Sequence, residues 1–250
     1  MSSASPTFSL DYNDPDSPTG ISSEVKQFES RFSLTYLPKR EMTGYGVERK
    51  NKNDDFARLF AQISRGDEGF INSDFDYTKL QFSYFQPWQV GGFGRLTTSI
   101  EVGKTFGEVP LGLLNVVPGN QTLFSIYNTF PQLDFYEFVT DTYSSMHIEH
   151  NFNGRLFSRI PFLKKYNLRA IVGLRGVWGE LSDENRLLNT TGNPNEIILR
   201  APDSQVYYEY SFGVANIFKV LRIDFNFRGN YLDIPEARRF GITGSFGFFF

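Results

Sequence analysis

The sequence predicts an all-β protein: an antiparallel, up-and-down transmembrane β-barrel, whole or partial, with about 10–12 strands in this chain. Three observations predict it. Apolar and polar residues alternate with period two in stretch after stretch, as they do in a strand with one apolar and one polar face. Several of these stretches run to about 11–13 residues, whereas ordinary globular strands average about 5–6 and strands tilted across a bilayer need about 9–11. Finally, the chain holds 27 Phe and 13 Tyr, yet only 40% of its 250 residues are hydrophobic and its mean hydropathy is −0.33. Many aromatics at low mean hydropathy suit strands that are apolar on one side only.

The stretch 1–24 is rich in Ser, Pro and Asp and reads as linker or loop, with one short strand around Thr7 to Tyr12. The barrel domain is assigned to 25–250. From 27 to 37, Phe28, Phe32, Leu34 and Tyr36 oppose Gln27, Glu29, Arg31, Ser33 and Thr35. Weaker alternation over 41–50, 55–65 and 74–85 is read as three more strands. From 94 to 106, Leu96, Thr98, Ile100 and Val102 oppose Arg95, Thr97, Ser99 and Glu101. A further weak stretch covers 139–152. Leu168, Ala170, Val172, Leu174 and Trp178 then oppose Asn167, Arg169 and Arg175. Val206, Tyr208, Tyr210, Phe212 and Val214 oppose Glu209 and Ser211. The clearest case sets Leu221, Ile223, Phe225, Phe227 and Tyr231 against Arg222, Asp224, Asn226, Arg228 and Asn230. This pattern predicts that Arg is costly at Phe225 and nearly neutral at Asn226. Phe240, Ile242, Phe246, Phe248 and Phe250 form one face of the last strand.

Alternation also fixes which connections share an end. With Phe250 on the periplasmic side, the connections at 217–219, 153–166, 86–92 and 51–54 are periplasmic. Those at 232–238, 180–204, 107–138 and 66–73 are then external, so both of the longest loops fall outside, as outer-membrane barrels require. In the 153–166 connection, Leu156, Phe157, Ile160, Phe162 and Leu163 precede Lys164 and Lys165, which reads as an amphipathic turn lying at the interface. The 107–138 loop carries Leu111, Leu113, Leu114, Val116, Val117, Leu123, Phe124, Ile126, Tyr127 and Phe130 with few charges. Such a loop is expected to fold back, into the barrel mouth as a constriction or over the rim against 180–204.

Other classes are disfavoured by composition. No run approaches the 18 or so apolar residues of a membrane-spanning helix. Residues 1–10 have neither a basic start nor an apolar signal segment, so the chain is either cytosolic or a piece of a longer, exported one. Cysteine is absent, which removes disulfides, thiolate metal sites and cysteine nucleophiles. A net charge of −3 gives no basic excess for a phosphate backbone, so no nucleic-acid partner is expected.

Few motifs carry chemistry. Gly91, Gly92 and Gly94 precede a long strand rather than a helix and read as a turn, not a phosphate loop. Asn120-Gln121-Thr122 and Asn189-Thr190-Thr191 match a glycosylation pattern that is frequent by chance. On a strand, His147 and Glu149 share a face that His150 does not, so the three cannot converge on a metal. His147 and Glu149 are instead expected as a hydrogen-bonded pair facing the lumen. No Gly-x-Ser-x-Gly elbow occurs. Neither catalytic residues, a metal site nor a cofactor are assigned, and the protein is expected to be non-enzymatic. What remains is the charged inward face of Arg169, Arg175, Glu209, Arg222, Asp224 and Arg228, read as cross-strand pairs filling a narrow lumen, or else as a conduit. The alternating C-terminal aromatics Phe246, Phe248 and Phe250 resemble the sorting signal read by the barrel assembly machinery of the outer membrane.

The wording of the chain carries a family likeness. Val109-Pro110-Leu111-Gly112-Leu113-Leu114-Asn115, Phe135-Tyr136-Glu137-Phe138, His147-Ile148-Glu149-His150-Asn151-Phe152-Asn153-Gly154 and Arg159-Ile160-Pro161-Phe162-Leu163-Lys164-Lys165 carry most of it, with Asn216-Ile217-Phe218-Lys219-Val220-Leu221-Arg222 and the final strand. Together, over about residues 70–250, they resemble the C-terminal outer-membrane barrel of a Gram-negative family of unknown function. The resemblance implies a cell outer-membrane location, and a signal peptide and a carboxypeptidase-regulatory-like domain upstream in the periplasm. It implies no peptidase activity. The expected partners are outer-membrane lipid, and the barrel assembly machinery during biogenesis. The role expected is transport, surface assembly or envelope structure. Two alternatives are a transporter of the barrel-assembly or two-partner-secretion type and a soluble all-β ligand-binding module.

Overall fold

Nine of the alternating stretches pair edge to edge in one antiparallel sheet. The computed structural model describes residues 10–193, 197–235 and 237–247. The strands are β1 (Glu29–Tyr36), β2 (Arg58–Gly66), β3 (Tyr77–Gln89), β4 (Arg95–Phe106), β5 (Thr142–Asn151), β6 (Arg169–Glu180), β7 (Tyr207–Ile217), β8 (Leu221–Arg228) and β9 (Phe240–Phe246). Each strand bonds to its neighbours in sequence, so the sheet is an unbroken up-and-down meander. The longest, β3, β4, β6 and β7, have 13, 12, 12 and 11 residues. Among the described residues β1 and β9 do not pair with each other, so the described sheet is open between them.

Two expected details change. The stretch 41–50 is not a sheet strand: only Met42–Thr43 and Lys50–Asn51 pair, as a small ladder inside the β1–β2 loop. Gly44 and Gly46 take φ of 95° and 57° and turn the chain back after two residues. The β8 strand stops at Arg228, and Tyr231, with φ 53°, turns inward instead of continuing the outer face. There it packs edge-on against Phe138 at 5.3 Å. Near the start, Tyr12–Asn13 pairs with Ile21–Ser22, while Thr7 lies outside the described residues.

The alternation sorts the two faces as read. Outward-facing Leu174, Phe212, Phe225 and Ile242 are left exposed, whereas the largest buried side chains, Tyr207, Phe130, Phe138 and Leu133, lie on the inner side. This is the reverse of a soluble sheet, whose apolar face would be covered. The connections divide between two ends. Segments 37–57, 90–94, 152–168 and 218–220 lie at one end, and 67–76, 107–141, 181–206 and 229–239 at the other. The two longest loops therefore share an end. The 152–168 connection holds a 3-10 turn at Phe157–Arg159 and one α-helical turn, α1 (Pro161–Lys164), with Phe162 and Tyr166 exposed.

Candidate functional site

Strand register assembles the inner face. His147 sits opposite Arg175, Arg175 opposite Glu209, and Glu209 opposite Arg228, so one row crosses β5, β6, β7 and β8. Opposite charges alternate along its last three members, the pattern that stabilises adjacent strands. The next row toward the short turns carries Glu149, Gly173, Ser211 and Asn226. Arg222 enters this region from β8. Its Nη2 donates to Glu149 Oε2 at 2.5 Å and its Nη1 to Oε1 at 3.1 Å, while Nε donates to Asp224 at 2.7 Å. The bond to Glu149 passes over β6 and β7, which requires the sheet to curl around its polar side. Small residues make the room: a Cβ at Gly213 would collide with the Asp224 carboxylate, and one at Gly173 with Ser211 Oγ.

The curled face is filled by the 107–141 loop. Phe130 is fully buried, with its ring 4.9 Å from His147 and 5.7 Å from Tyr207. Gln132 donates its backbone N–H to Glu209 Oε1 at 2.9 Å, and Tyr207 donates its hydroxyl to the same oxygen at 2.7 Å. Arg228 donates to Glu137 at 2.7 Å, a pair of which both side chains are shut off from solvent. Ser125 donates to Asp224 and Thr243, and Asn128 to Ser99, so one loop touches both β4 and β9. Backbone bonds from Ser125 N to Gly244 O, 2.8 Å, and from Gly244 N to Leu123 O, 2.8 Å, add a short parallel rung on β9. A cavity of about 230 Å³ remains beneath, lined by Ser99, Asn128, His147, Arg175 and Arg222 among others.

The rest of the loop lies over the rim. Val109, Leu111 and Leu114 form a buried cluster with Tyr77, Val139, Leu181 and Leu199. Helix α2 (Asp183–Leu188) clamps it: Asn185 accepts from Val109 N at 2.9 Å and Asn189 from Leu111 N at 2.6 Å. Asp141 closes the joint by accepting from Ser182 N at 2.7 Å and from Asn185 Nδ2 at 3.2 Å. Burial pushes the Asp141 carboxyl upward, but the hydrogen bonds from Ser182, Asn185 and Thr142 outweigh this and hold its pKa below the usual 3.8. The sequence predicts that the loop either enters the mouth or packs over the rim against 180–204; it combines the two, its later part entering the mouth and its first part packing against α2.

The predicted site residues divide accordingly. Arg175, Glu209, Arg222, Asp224 and Arg228 line the interior together. Arg169 stays at the short-turn rim and donates to Asn153 at 3.3 Å. His147 and Glu149 share the inner face, but among the described residues no hydrogen bond joins them: Glu149 is taken by Arg222 and His147 lies against Phe130. His150 points the other way, to the Phe93 carbonyl at 2.9 Å. No group of three His, Cys, Asp or Glu suited to a metal occurs among the described residues. Both Asn120 and Asn189 of the glycosylation-like triplets are buried, their side chains bonded to backbone. Phe246 is exposed on β9, while Phe248 and Phe250 lie outside the described residues. Sequence reasoning missed Gln132, Glu137 and Asn185, whose loop positions carry no periodic signal. It also passed over Tyr207, which alternation with Glu209 places on the inner face.

Among solved structures, the chain is similar to BamA from Haemophilus ducreyi lacking POTRA domains 1–3, with a TM-score of 0.52 and 12% identity. The match covers 94% of this chain and 46% of that one, so the chain spans less than half of its length. At this identity the likeness concerns the fold alone. No curated protein matches the sequence. Residues 2–184 match the model of a family described as a family of unknown function (DUF5686), C-terminal domain; the match starts earlier than the 70–250 likeness and stops before β7. Since that match takes in most of the chain, the protein belongs to this family of unknown function.

Proposed function

We propose that this chain forms an integral β-barrel of the cell outer membrane, non-enzymatic, with an occluded lumen and a role in transport, surface assembly or envelope structure. The observation that carries the reading is the inversion of the two faces. Exposed aliphatic and aromatic side chains project outward from β1 through β9, while ion pairs and polar groups occupy the inner side. Water on the outer face would leave one continuous apolar band unburied, whereas lipid tails match it. The loop seated against His147, Tyr207 and Glu209 favours a closed or gated barrel over an open diffusion pore. The fold likeness to BamA supports a barrel and does not choose among these roles.

The test is fractionation of cells expressing the chain, followed by detergent extraction and gel mobility with and without boiling. Recovery with outer membranes, release only by detergent and faster migration unboiled are expected. Recovery in the soluble fraction without detergent would favour the soluble all-β binding module instead.

A further inference from the structure

Between α1 and the β7–β8 hairpin lies an apolar groove of about 980 Å³, on the outward face and at the short-turn end. We propose that it is a binding site for one anionic phospholipid, with Lys165 and Lys219 on the lipid phosphate and the acyl chains along Ile223 and Phe225. This rests on the membrane reading above and adds a lipid class and a location to it.

Three observations point to this occupant. The first is backbone strain put to use. Phe218 and Lys219 take φ of 49° and 71° in the hairpin turn, a conformation that costs non-glycine residues energy. The result is to thrust Phe218 outward, 90% exposed, where an aqueous surface gives it nothing to pack on. Across the groove Phe162 is 68% exposed on α1. Two aromatics presented this way at the end of a barrel suit the boundary between headgroups and acyl chains.

The second is charge. The connection 152–168 contains Arg155, Arg159, Lys164 and Lys165 and no acidic residue. Among the described residues neither Lys165 nor Lys219 has an ion-pair partner. Lys165 Nζ instead lies 4.9 Å from the Tyr166 ring and 5.6 Å from the Phe162 ring, which orients its ammonium at the groove mouth.

The third is shape. The lining is apolar along Leu163, Val214, Ile223 and Phe225, with both lysines also on it. A purely apolar occupant would leave the two cations unused, and a soluble anion would leave the apolar trough unused. An anionic phospholipid engages both, as basic pockets beside membrane spans do.

The experiment uses the purified chain in a neutral detergent, titrated separately with phosphatidylglycerol and phosphatidylcholine and read by native mass spectrometry. One phosphatidylglycerol should be retained with about tenfold preference, which the double variant Lys165→Gln, Lys219→Gln should abolish and the double Lys→Arg variant preserve. Lys39→Gln with Lys50→Gln, at the same end but off the groove, should leave the preference intact. Equal retention of the two lipids, or equal losses in the groove and off-groove variants, would overturn the site while leaving the barrel standing. A chain that stays in solution without detergent and retains neither lipid would overturn the membrane reading together with the site.

Discussion

Arg222 on β8 grips Glu149 on β5 through two bonds, of 2.5 and 3.1 Å, reaching over two intervening strands. The same guanidinium neutralises Asp224, whose side chain is 2% exposed. One cation therefore ties three strands' worth of curvature to the charge balance of the interior. Two planar groups joined in a fork give geometric specificity that a lysine would not.

Replacing Arg222 with Met should destabilise the folded chain by about 3 kcal/mol, because Asp224 and Glu149 lose their partner and one of them stays buried. Glu149→Gln should cost less, about 1 kcal/mol, since Asp224 still neutralises Arg222. Urea titration of the detergent-solubilised protein measures both. A larger loss for Glu149→Gln than for Arg222→Met would show that Glu149, not Arg222, is the hub.

The lipid face can be tested by charge. Phe225→Arg should cost about 2–4 kcal/mol near the middle of the bilayer. Asn226, next in sequence, is not the tolerant control that alternation predicts: it is fully buried, donates to Thr243 at 3.0 Å and lies beside Arg175. Ser33 is the better control, because it has the inward parity on β1, is exposed and lies opposite the uncharged Gln62. Ser33→Arg should stay within about 0.5 kcal/mol of wild type, as exposed substitutions usually do. Equal costs at 33 and 225 in refolding would overturn the assignment of faces.

Asp141 makes the joint between the two longest loops sensitive to acid. Its folded pKa lies below the usual 3.8, so its contribution is complete above that value, fades as pH drops below it, and is gone once the lowered folded value is passed. Loop anchoring followed by amide hydrogen exchange should therefore loosen on acidification below 3.8, in the segments 107–117 and 181–189. In Asp141→Asn the joint should be weaker at neutral pH and lose this acid response. An unchanged acid response in Asp141→Asn would assign it to another group.

The strands were legible because each holds its period long enough to count: β4, β6, β7 and β8 lie where alternation puts them, with the outward residues as read. Local geometry hid the rest. Positive φ at Gly44, Gly46 and Tyr231 redirects chains whose side-chain pattern still alternates, so 41–50 and Tyr231 misled. The charged row was visible residue by residue, but its partners were not. Glu137 and Gln132 reach Arg228 and Glu209 only through the path of the loop, and neither spacing nor composition encodes that path. Arg169 failed to join for a simpler reason: it shares the inward parity but sits at the end of β6, beyond reach of the row.

The most demanding prediction concerns the loop at 107–141. Many of its side chains are apolar, and Leu123, Phe124 and Tyr127 remain exposed. Side-chain exposure alone would make it a good substrate for chymotrypsin. Its backbone argues otherwise. Val117 N bonds to Phe138 O at 3.0 Å, Asn120 N to Phe130 O at 3.1 Å and Ser125 N to Gly244 O at 2.8 Å, and Val109 and Leu111 are clamped by Asn185 and Asn189. A protease must pull a stretch of backbone into an extended conformation, and here several anchors must release together. The β1–β2 loop has no such anchoring around Tyr45, which is 93% exposed and flanked by glycines at positive φ. Chymotrypsin acting on the folded protein in detergent should cut at Tyr45 early and within 111–130 late. Positions 185–189 should share the protection, because α2 carries the clamp. Phe130→Ala removes a fully buried ring and should cost about 3–5 kcal/mol, loosening the inserted segment first. Cutting at Leu123 or Phe124 should then approach the Tyr45 rate, while Leu111 stays protected by the rim cluster. Early cutting inside 111–130 of the unmodified chain would show that the segment leaves the lumen freely, and the occluded barrel would have to be given up.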